Sequence, residues 1–148
     1  MRDHSTYDYA IIRVIPRVER EEFVNVGVIV SCPAREFLEA RIELDESRLI
    51  AVDPTLDIET VKAHLASIST VCAGGEQAGP IGRLSQRERF HWLVAPRSTI
   101  IQTSPVHTGC CKDPIAVLGH LLDTMVRPCR TPSPTVGTGL MDASEERA

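Results

Sequence analysis

Two apolar, alternating segments near the start of the chain constrain its fold most strongly. Tyr7–Ile15 alternates between two faces, and both faces are largely apolar. A strand of that composition belongs in the middle of a sheet rather than at its edge. Val24–Cys32 repeats the alternation, and only Pro16, the charged loop 17–22 and Phe23 separate the two segments. The sequence therefore predicts two antiparallel neighbours, with Phe37–Leu44 as the third strand of a meander.

Aspartate and proline mark the predicted helices. Asp45 predicts the start of a short helical turn through Ile50, and Asp53-Pro54 predicts the cap and first residue of a longer helix. A second pair, Asp113-Pro114, predicts a last helix that Pro128 ends. The stripes expected to be buried on the two main helices are Ile58, Val61, Leu65, Ile68 and Cys72 on the first, and Ile115, Leu118, Leu122 and Met125 on the last.

A second hairpin is predicted between these helices. Phe90–Val94 and Thr99–Thr103 have the pattern of paired strands joined by the turn 95–98, and residues 104–112 are predicted to be a loop. Together these elements predict an α+β fold. Its antiparallel sheet would have about five strands, with two main helices packed on it, in the order β-β-β-α-β-β-α.

Residues 1–127 hold all of these elements, and we expect them to form a single α+β domain. The chain has 148 residues, which is long enough for one domain with a hydrophobic core. Residues 128–148 are rich in Pro, Thr, Gly and charged side chains, a composition that is typical of disorder. We therefore expect a flexible, disordered tail after the domain.

Charge and cysteine content argue against several classes of protein. The net charge of −4 argues against nucleic acid as the partner, because phosphate binding needs a basic face. A local basic patch stays a possible interpretation of four arginines that lie close together in the sequence, Arg83, Arg87, Arg89 and Arg97. A solvated face is the simpler interpretation. The five cysteines form no CxxC pair, and the chain shows no signal segment and no long apolar run. We expect a cytoplasmic protein with reduced thiols and no membrane association.

Residues 90–109 concentrate polar side chains and form the candidate functional site. Arg97 lies in the predicted turn, where its guanidinium offers a planar fork of donors that fits phosphate or carboxylate. His107 precedes the predicted last helix, whose free N–H groups favour an anion, and Trp92 is placed to stack on a base or sugar. The hypothesis is an anion-binding site. Its candidate residues are Arg13, Trp92, Arg97, Ser98, Thr99, Ser104, His107 and Gly109.

A structural interpretation of the same residues stays open. Pro-Arg-Ser is ordinary turn composition, and Ser and Thr hydroxyls often bond to their own loop. Trp92 on an alternating strand is more often a core residue. Arg13 is a charge within an apolar strand, so it either pairs with a carboxylate such as Glu21 or Glu22 or faces the same pocket as Arg97.

Catalytic and metal sites receive little support from the sequence. Ser98 or Ser104 with His107 and Asp113 supplies the residue types of a catalytic triad, but no G-x-S-x-G elbow occurs and Asp113 suits a helix cap. A metal site built on His107 and Cys110-Cys111 would lack a fourth ligand, and buried small side chains are a simpler interpretation of these thiols than a reactive thiolate. We assign no catalytic residue and expect no metal and no cofactor.

Three blocks of the sequence resemble one bacterial family. They are YDYAIIRVIPRVEREEFVNVGVIV, RFHWLVAPRSTIIQTSPVHTG and DPIAVLGHLLDTMV. The chain resembles the family labelled domain of unknown function 3037. The combination of three motifs carries this resemblance: N-V-G-V, P-R-S-T and S-P-V-H-x-G. The positions that match its pattern are Arg13, Glu22, Asn25, Gly27, Trp92, Arg97, Ser98, Thr99, Ser104, His107 and Gly109.

That resemblance implies a stand-alone bacterial protein without an established activity. Members of the family are encoded beside a HipA-like kinase, which implies such a kinase as a partner of this chain. Cys110-Cys111 does not belong to the family pattern, which weakens the support for a reactive thiol or a metal site at these residues. The tail after Arg127 lies outside the resemblance.

Three functions are therefore weighed. The first is a non-enzymatic accessory or binding protein that acts through residues 90–109, with a HipA-like kinase or another protein as its partner. The second is a small enzyme or nucleotide-binding protein for a phosphate-bearing ligand, with Arg97 as anion clamp and His107 as acid or base. The third is a nucleic-acid-binding module that uses the arginines at 83–97, with Trp92 or Phe90 stacking on bases.

Overall fold

Residues 3–97 and 99–129 are described by a computed structural model, and they contain a five-stranded antiparallel sheet. Its strands are β1 Ser5–Val14, β2 Val24–Cys32, β3 Phe37–Ile42, β4 Ile101–Thr103 and β5 His107–Cys111. The central strand β1 pairs with β2 on one side, and β2 pairs with β3. Both β4 and β5 pair with the other side of β1, β4 along Ile12–Val14 and β5 along Ser5–Tyr9. The α+β class and the five-stranded antiparallel sheet are confirmed.

Four α-helices lie in the same part of the chain. They are α1 Glu46–Val52, α2 Ile58–Ala73, α3 Gln86–Leu93 and α4 Pro114–Leu121. A single π-helical turn, Leu122–Val126, continues α4, and short 3-10 segments lie at Val18–Arg20, Pro33–Arg35 and Glu76–Arg83.

Helices cover both faces of the sheet, which explains why β1 is apolar on both sides. On one face Ile12 packs into a core cluster with Leu65 of α2 and Phe90 of α3. On the opposite face Ile11 packs into a second cluster with Leu118 of α4. We call these the α2/α3 face and the α4 face. Because side chains alternate along a strand, each residue of β1 belongs to one face or the other.

The strand predicted at Phe90–Val94 is wrong, because these residues form the second half of α3 and the residue that ends it. Ser85 caps the helix by accepting a bond from the Glu88 N–H, and Glu88 accepts one from the Ser85 N–H in return. This capping box begins a helix just before the apparent alternation. Phe90 and Trp92 therefore do not share a face: Phe90 is fully buried and Trp92 is 43% exposed.

The loop predicted at 104–112 contains strand β5 instead. Five strands are present because β5 takes the place of the strand that α3 replaces. Gly109 makes the pairing possible, since it lies opposite Tyr7 and a Cβ at that position would come within 2.7 Å of the Tyr7 hydroxyl. The Tyr7 ring covers this glycine, so the segment joins the sheet although its own sequence does not alternate.

The helix predicted to begin at Pro54 begins at Ile58, and Asp57 caps it. Asp53 has another role, because its carboxylate accepts bonds from the N–H and the hydroxyl of Thr55 at 2.9 and 2.7 Å. Such a local turn competes with helix formation at an aspartate. The cap predicted at Asp45 is confirmed, since its side chain accepts a bond from the N–H of Arg48.

The buried stripe predicted for the last helix is only partly correct. Ile115 is 55% and Met125 is 43% exposed. The Arg127 N–H donates to the Leu122 carbonyl at 2.9 Å, a spacing of five residues that defines a π turn. The wider turn rotates the residues after it, so that Val126 rather than Met125 packs against the sheet. The buried side chains on this segment are Leu118, Leu121, Leu122 and Val126.

No helix within residues 3–97 or 99–129 has the length and apolar character needed to cross a bilayer. Apart from Pro128 and Cys129, the tail predicted at 128–148 lies outside the described residues. Ser98 lies outside them as well.

Candidate anion-binding site

Arg97 closes the C-terminal end of α3. Its Nη1 donates to the Leu93 carbonyl at 2.9 Å and its Nη2 donates to the Trp92 carbonyl at 2.7 Å. The last carbonyls of a helix carry partial negative charge and lack partners within the helix, so a guanidinium is stabilised there. Its Cζ lies 4.6 Å from the centroid of the Trp92 ring, a cation–π distance. The side chain is therefore fixed by three contacts.

The guanidinium keeps donors for a ligand. An arginine has five N–H donors, and the two carbonyl bonds use two of them. Arg97 itself is exposed to solvent. The remaining N–H groups can therefore reach an anion that approaches from outside while the helix end holds the side chain in place.

A cavity of about 190 Å³ lies beside this arginine, between α2, α3 and β4. Its volume suits a single phosphate or carboxylate group better than a drug-sized molecule, which needs at least about 300 Å³. No carboxylate is among the described residues of its wall, so nothing there neutralises Arg97. The lining is formed by His64, Ser67, Ile68, Trp92, Leu93, Arg97, Thr99, Ile101, Gln102 and Thr103.

Three of the residues predicted for the site, Trp92, Arg97 and Thr99, are brought together in this cavity. The Thr99 hydroxyl donates to the Ile101 carbonyl at 2.9 Å, which leaves its oxygen as an acceptor. Gln102 donates to the Thr99 carbonyl at 2.8 Å. These bonds shape the wall of the cavity.

Ser104 has a structural role in the sheet. Its hydroxyl accepts the Ile11 N–H at 2.8 Å and donates to the Pro105 carbonyl at 2.9 Å, while its own N–H donates to the Ile11 carbonyl at 2.8 Å. The residue is 4% exposed. Ser104 therefore supplies the acceptor that β1 needs in the gap between β4 and β5, and its hydroxyl is not free to act as a nucleophile.

His107 and Gly109 lie on β5, away from Arg97. His107 pairs with Tyr9, and their ring centroids are 5.3 Å apart. Tyr9 packs against the cluster on the α4 face, whereas the Arg97 cavity is bordered by α2 and α3. His107 does not line that cavity, because the segment after β4 pairs with β1 instead of folding back toward the turn.

The described residues do not assemble the triad built on Ser104, and Ser98, the other serine considered for it, lies outside them. The Asp113 carboxylate accepts the Ile115 N–H at 3.0 Å and caps α4, as its Asp-Pro pattern predicts. Cys110 is exposed and Cys111 is buried, so they point in different directions on β5. Residues 3–97 and 99–129 contain no cluster of three or more His, Cys, Asp or Glu side chains that could hold a metal ion.

The four arginines between 83 and 97 do not form a basic face. Arg89 is 7% exposed and donates to the carbonyls of Leu84 and Cys72 at 2.6 and 3.2 Å. Arg87 pairs with Asp8 at 2.7 Å. Burial raises the pKa of Asp8, but its bonds from Thr108 and Arg87 outweigh burial and hold that pKa below its usual range. Two of the four cations are therefore used inside the fold.

Arg13 lies on the α4 face, and it does not line the Arg97 cavity. Its guanidinium carbon stands 4.2 Å from the centre of the Phe23 ring. The pairing expected with Glu21 or Glu22 does not occur, because Glu22 binds Arg20 at 2.6 Å and the described residues show no ion pair to Arg13. The Nε atom of Arg13 is buried and has no hydrogen-bond partner among those residues.

Sequence reasoning missed His64 and Gln102 as parts of the site. His64 sits at the border of the apolar stripe of α2, and that position was the available signal. Gln102 lies next to Arg13 across the β1–β4 pair. The packing of α2 beside β4 brings His64 to the Arg97 cavity, whereas Gln102 borders the cavity from β4 itself.

A second, larger cavity of about 470 Å³ lies beside α1 and the end of the π turn. Its cations are occupied. Arg127 donates from Nε and Nη2 to the two carboxylate oxygens of Glu43 at 2.8 and 2.7 Å, and Arg48 donates to the Val126 carbonyl at 3.0 Å. This cavity therefore presents less free positive charge than the smaller one beside Arg97.

Fold and site together define a small α+β protein with an exposed arginine held over a tryptophan. The family model described as "Protein of unknown function (DUF3037)" matches residues 9–126, and the chain belongs to that family. Neither a curated protein nor a solved structure matches the chain.

Proposed function

We propose that this protein is a non-enzymatic binding protein that recognises a phosphate-bearing group of a partner protein through the Arg97 cavity. One observation carries the proposal: a guanidinium is fixed over an exposed indole, in a cavity whose described lining contains no carboxylate. A cation that is held rigidly and is not neutralised loses little conformational freedom when it binds an anion.

Phosphate suits this cavity chemically. A phosphorylated side chain carries a charge of about −1.5 to −2 and three acceptor oxygens, which match the free N–H donors of Arg97. His64 and Gln102 add further polar groups to the wall, and Trp92 offers an apolar surface to the rest of the bound segment. A volume of about 190 Å³ leaves room for the anionic group and little more.

Binding accounts for the geometry more directly than catalysis does. The enzymatic hypothesis needs an anion clamp and an acid or base in the same pocket. His107, which was to supply the proton, lies on β5 and does not line the cavity. His64 does line it, but the hydroxyls of Ser67 and Thr99 in the same wall donate to main-chain carbonyls and not to this imidazole. Binding needs only the fixed cation and the shaped wall.

The family supplies the first partner to test. The family resemblance implies a HipA-like kinase as a partner, and because a kinase produces phosphorylated side chains, we propose such an enzyme as the source of the ligand. The protein would then act as an accessory to the kinase or to its phosphorylated product.

A capture experiment tests this proposal. Immobilised wild-type protein and the Arg97→Gln variant are each incubated with purified HipA-like kinase from the source organism, before and after phosphatase treatment. Capture by the wild type and by the control, absent with Arg97→Gln and lost after phosphatase, would support the proposal. Arg83→Gln is the matched control, since Arg83 is an exposed arginine that does not line the cavity. Equal capture by the Arg97→Gln variant would overturn the proposal.

A further inference from the structure

A second cation, separate from the Arg97 cavity, lacks a partner on the α4 face. Arg13 is only partly exposed, and its Nε is buried without an acceptor among the described residues. Its cross-strand neighbour Asn25 has a buried Oδ1 that is also without a donor there, while Asn25 Nδ2 donates to the Met125 carbonyl at 3.0 Å. A buried polar atom without a partner is unfavourable, so the described residues leave the bonding capacity of the Arg13 guanidinium incompletely used.

The nearby carboxylates do not fill that role. Glu22 is bound to Arg20 at 2.6 Å, and Glu43 is bound to Arg127 through both of its oxygens. Stacking on Phe23 at 4.2 Å holds the Arg13 guanidinium but supplies no negative charge. No carboxylate within residues 3–97 and 99–129 forms an ion pair with Arg13, so its charge is available to a carboxylate of a bound molecule.

Apolar side chains border this cation. Phe23 is 44% exposed and contacts Arg13 directly. Met125 is 43% exposed, and its main-chain carbonyl accepts the hydrogen bond from Asn25. We call Arg13, Phe23, Asn25 and Met125 the Arg13 surface. Exposed aromatic, methionine and arginine side chains are enriched at protein–protein interfaces.

We infer that the Arg13 surface binds a protein segment that carries a carboxylate side chain next to an apolar one. A single guanidinium balances the single charge of a carboxylate. The other exposed groups of this surface, Phe23 and Met125, are apolar and offer no donors for the additional oxygens of a phosphate, whereas His64 and Gln102 supply polar groups in the Arg97 cavity. The apolar side chain of the bound segment, next to its carboxylate, would pack on Phe23 and Met125. This surface lies on the opposite side of the sheet from the α2/α3 face, so it can be tested independently of the Arg97 cavity.

Nuclear magnetic resonance of the ¹⁵N-labelled full chain gives a direct test. The probes are the peptides Ac-Leu-Glu-Leu-NH₂ and Ac-Leu-Gln-Leu-NH₂, which differ only in the carboxylate. The glutamate peptide is expected to shift the Nε–Hε signal of Arg13 and the backbone signals of Phe23 and Asn25 saturably, with a dissociation constant on the order of 1 mM. The glutamine peptide is expected to bind at least about tenfold more weakly.

Two variants complete the experiment. Arg13→Gln is expected to abolish the shifts at Phe23 and Asn25, and Arg97→Gln is expected to leave them unchanged. Equal shifts with both peptides, no saturable shift with either peptide, or a stronger response to Ac-Leu-pSer-Leu-NH₂ would overturn the inference. The comparison of the peptides on the wild-type protein needs no substitution, so it stands even where Arg13→Gln fails to fold.

Discussion

The hydroxyl of Ser104 takes the place of a main-chain acceptor for Ile11, at an N···O distance of 2.8 Å. One edge of the central strand is in this way completed by two short strands and a serine between them. We predict that Ser104→Ala lowers the free energy of unfolding by about 1–3 kcal/mol, because the buried Ile11 N–H loses its acceptor. Urea denaturation measures this change. Ser69→Ala, on the exposed side of α2, is the control and is expected to change stability by less than about 0.5 kcal/mol; equal effects of the two variants would contradict this role.

Gly109 is required by the ring that lies over it. We predict that Gly109→Ala destabilises the fold by about 1–3 kcal/mol, because the new methyl group would meet the Tyr7 side chain at 2.7 Å. Gly119→Ala in α4, where an added Cβ would meet no atom within 4 Å beyond the adjoining backbone of its own helix, is expected to be neutral or to stabilise by up to about 1 kcal/mol. Thermal and urea unfolding of both variants checks the contrast, and a neutral Gly109→Ala would mean that the ring moves aside freely.

The Asp8 carboxylate joins β1, β5 and α3 through Thr108 at 2.6 Å and Arg87 at 2.7 Å. Its pKa is lower in the folded protein than in the unfolded chain, so its contribution to stability is present above the unfolded pKa of about 3.9. That contribution disappears as the pH falls through the lower, folded pKa.

We therefore predict that Asp8→Asn lowers stability by about 1 kcal/mol at neutral pH, because Arg87 is partly exposed and the pair is screened by solvent. The difference from wild type should shrink as the pH falls below about 4. Unfolding curves measured across this range, with Glu19→Gln as an exposed control, test the prediction. A difference that does not depend on pH would show that ionisation of Asp8 is irrelevant.

The cysteines should differ in reactivity according to burial. Cys110 and Cys129 are exposed, whereas Cys32, Cys72 and Cys111 are buried, and burial raises the pKa of Cys72 to about 12. We predict that iodoacetamide modifies Cys110 and Cys129 in the folded protein and reaches the other three only after unfolding. Peptide mass spectrometry gives the order of modification, and early labelling of Cys72 would contradict the packing of α2 on the sheet.

Strands β1 and β2 could be predicted from the sequence because their side chains alternate between two faces. In β1 both faces are largely apolar, a pattern typical of a strand buried on both sides. Strand β5 could not, since His107–Cys111 has no apolar alternation and becomes a strand only by pairing with β1. At α3, two signals competed. The alternation of Phe90 and Trp92 indicated a strand, whereas Ser85 and Glu88 formed a capping box, and the capping box determined the structure.

The candidate site was predictable to the same extent as its local structure. Arg97 and Trp92 are close in sequence, so their proximity could be expected whether a hairpin or a helix end joins them. The position of His107 depended on the path of the chain after β4, which pairing with β1 decides. His64 enters the site through the packing of a distant helix, and no local pattern encodes that contact.

The measurement that tests the central claim most directly is a fluorescence titration of Trp92, the only tryptophan of the chain. Wild type, Arg97→Gln and Arg83→Gln are each titrated with Ac-Gly-pSer-Gly-NH₂, with the unphosphorylated peptide and with inorganic phosphate. The account predicts a saturable change with the phosphorylated peptide in the wild type and in Arg83→Gln, and binding at least about tenfold weaker in Arg97→Gln. No saturable change in the wild type, or an equal one in Arg97→Gln, would contradict a phosphate-binding role for this cavity.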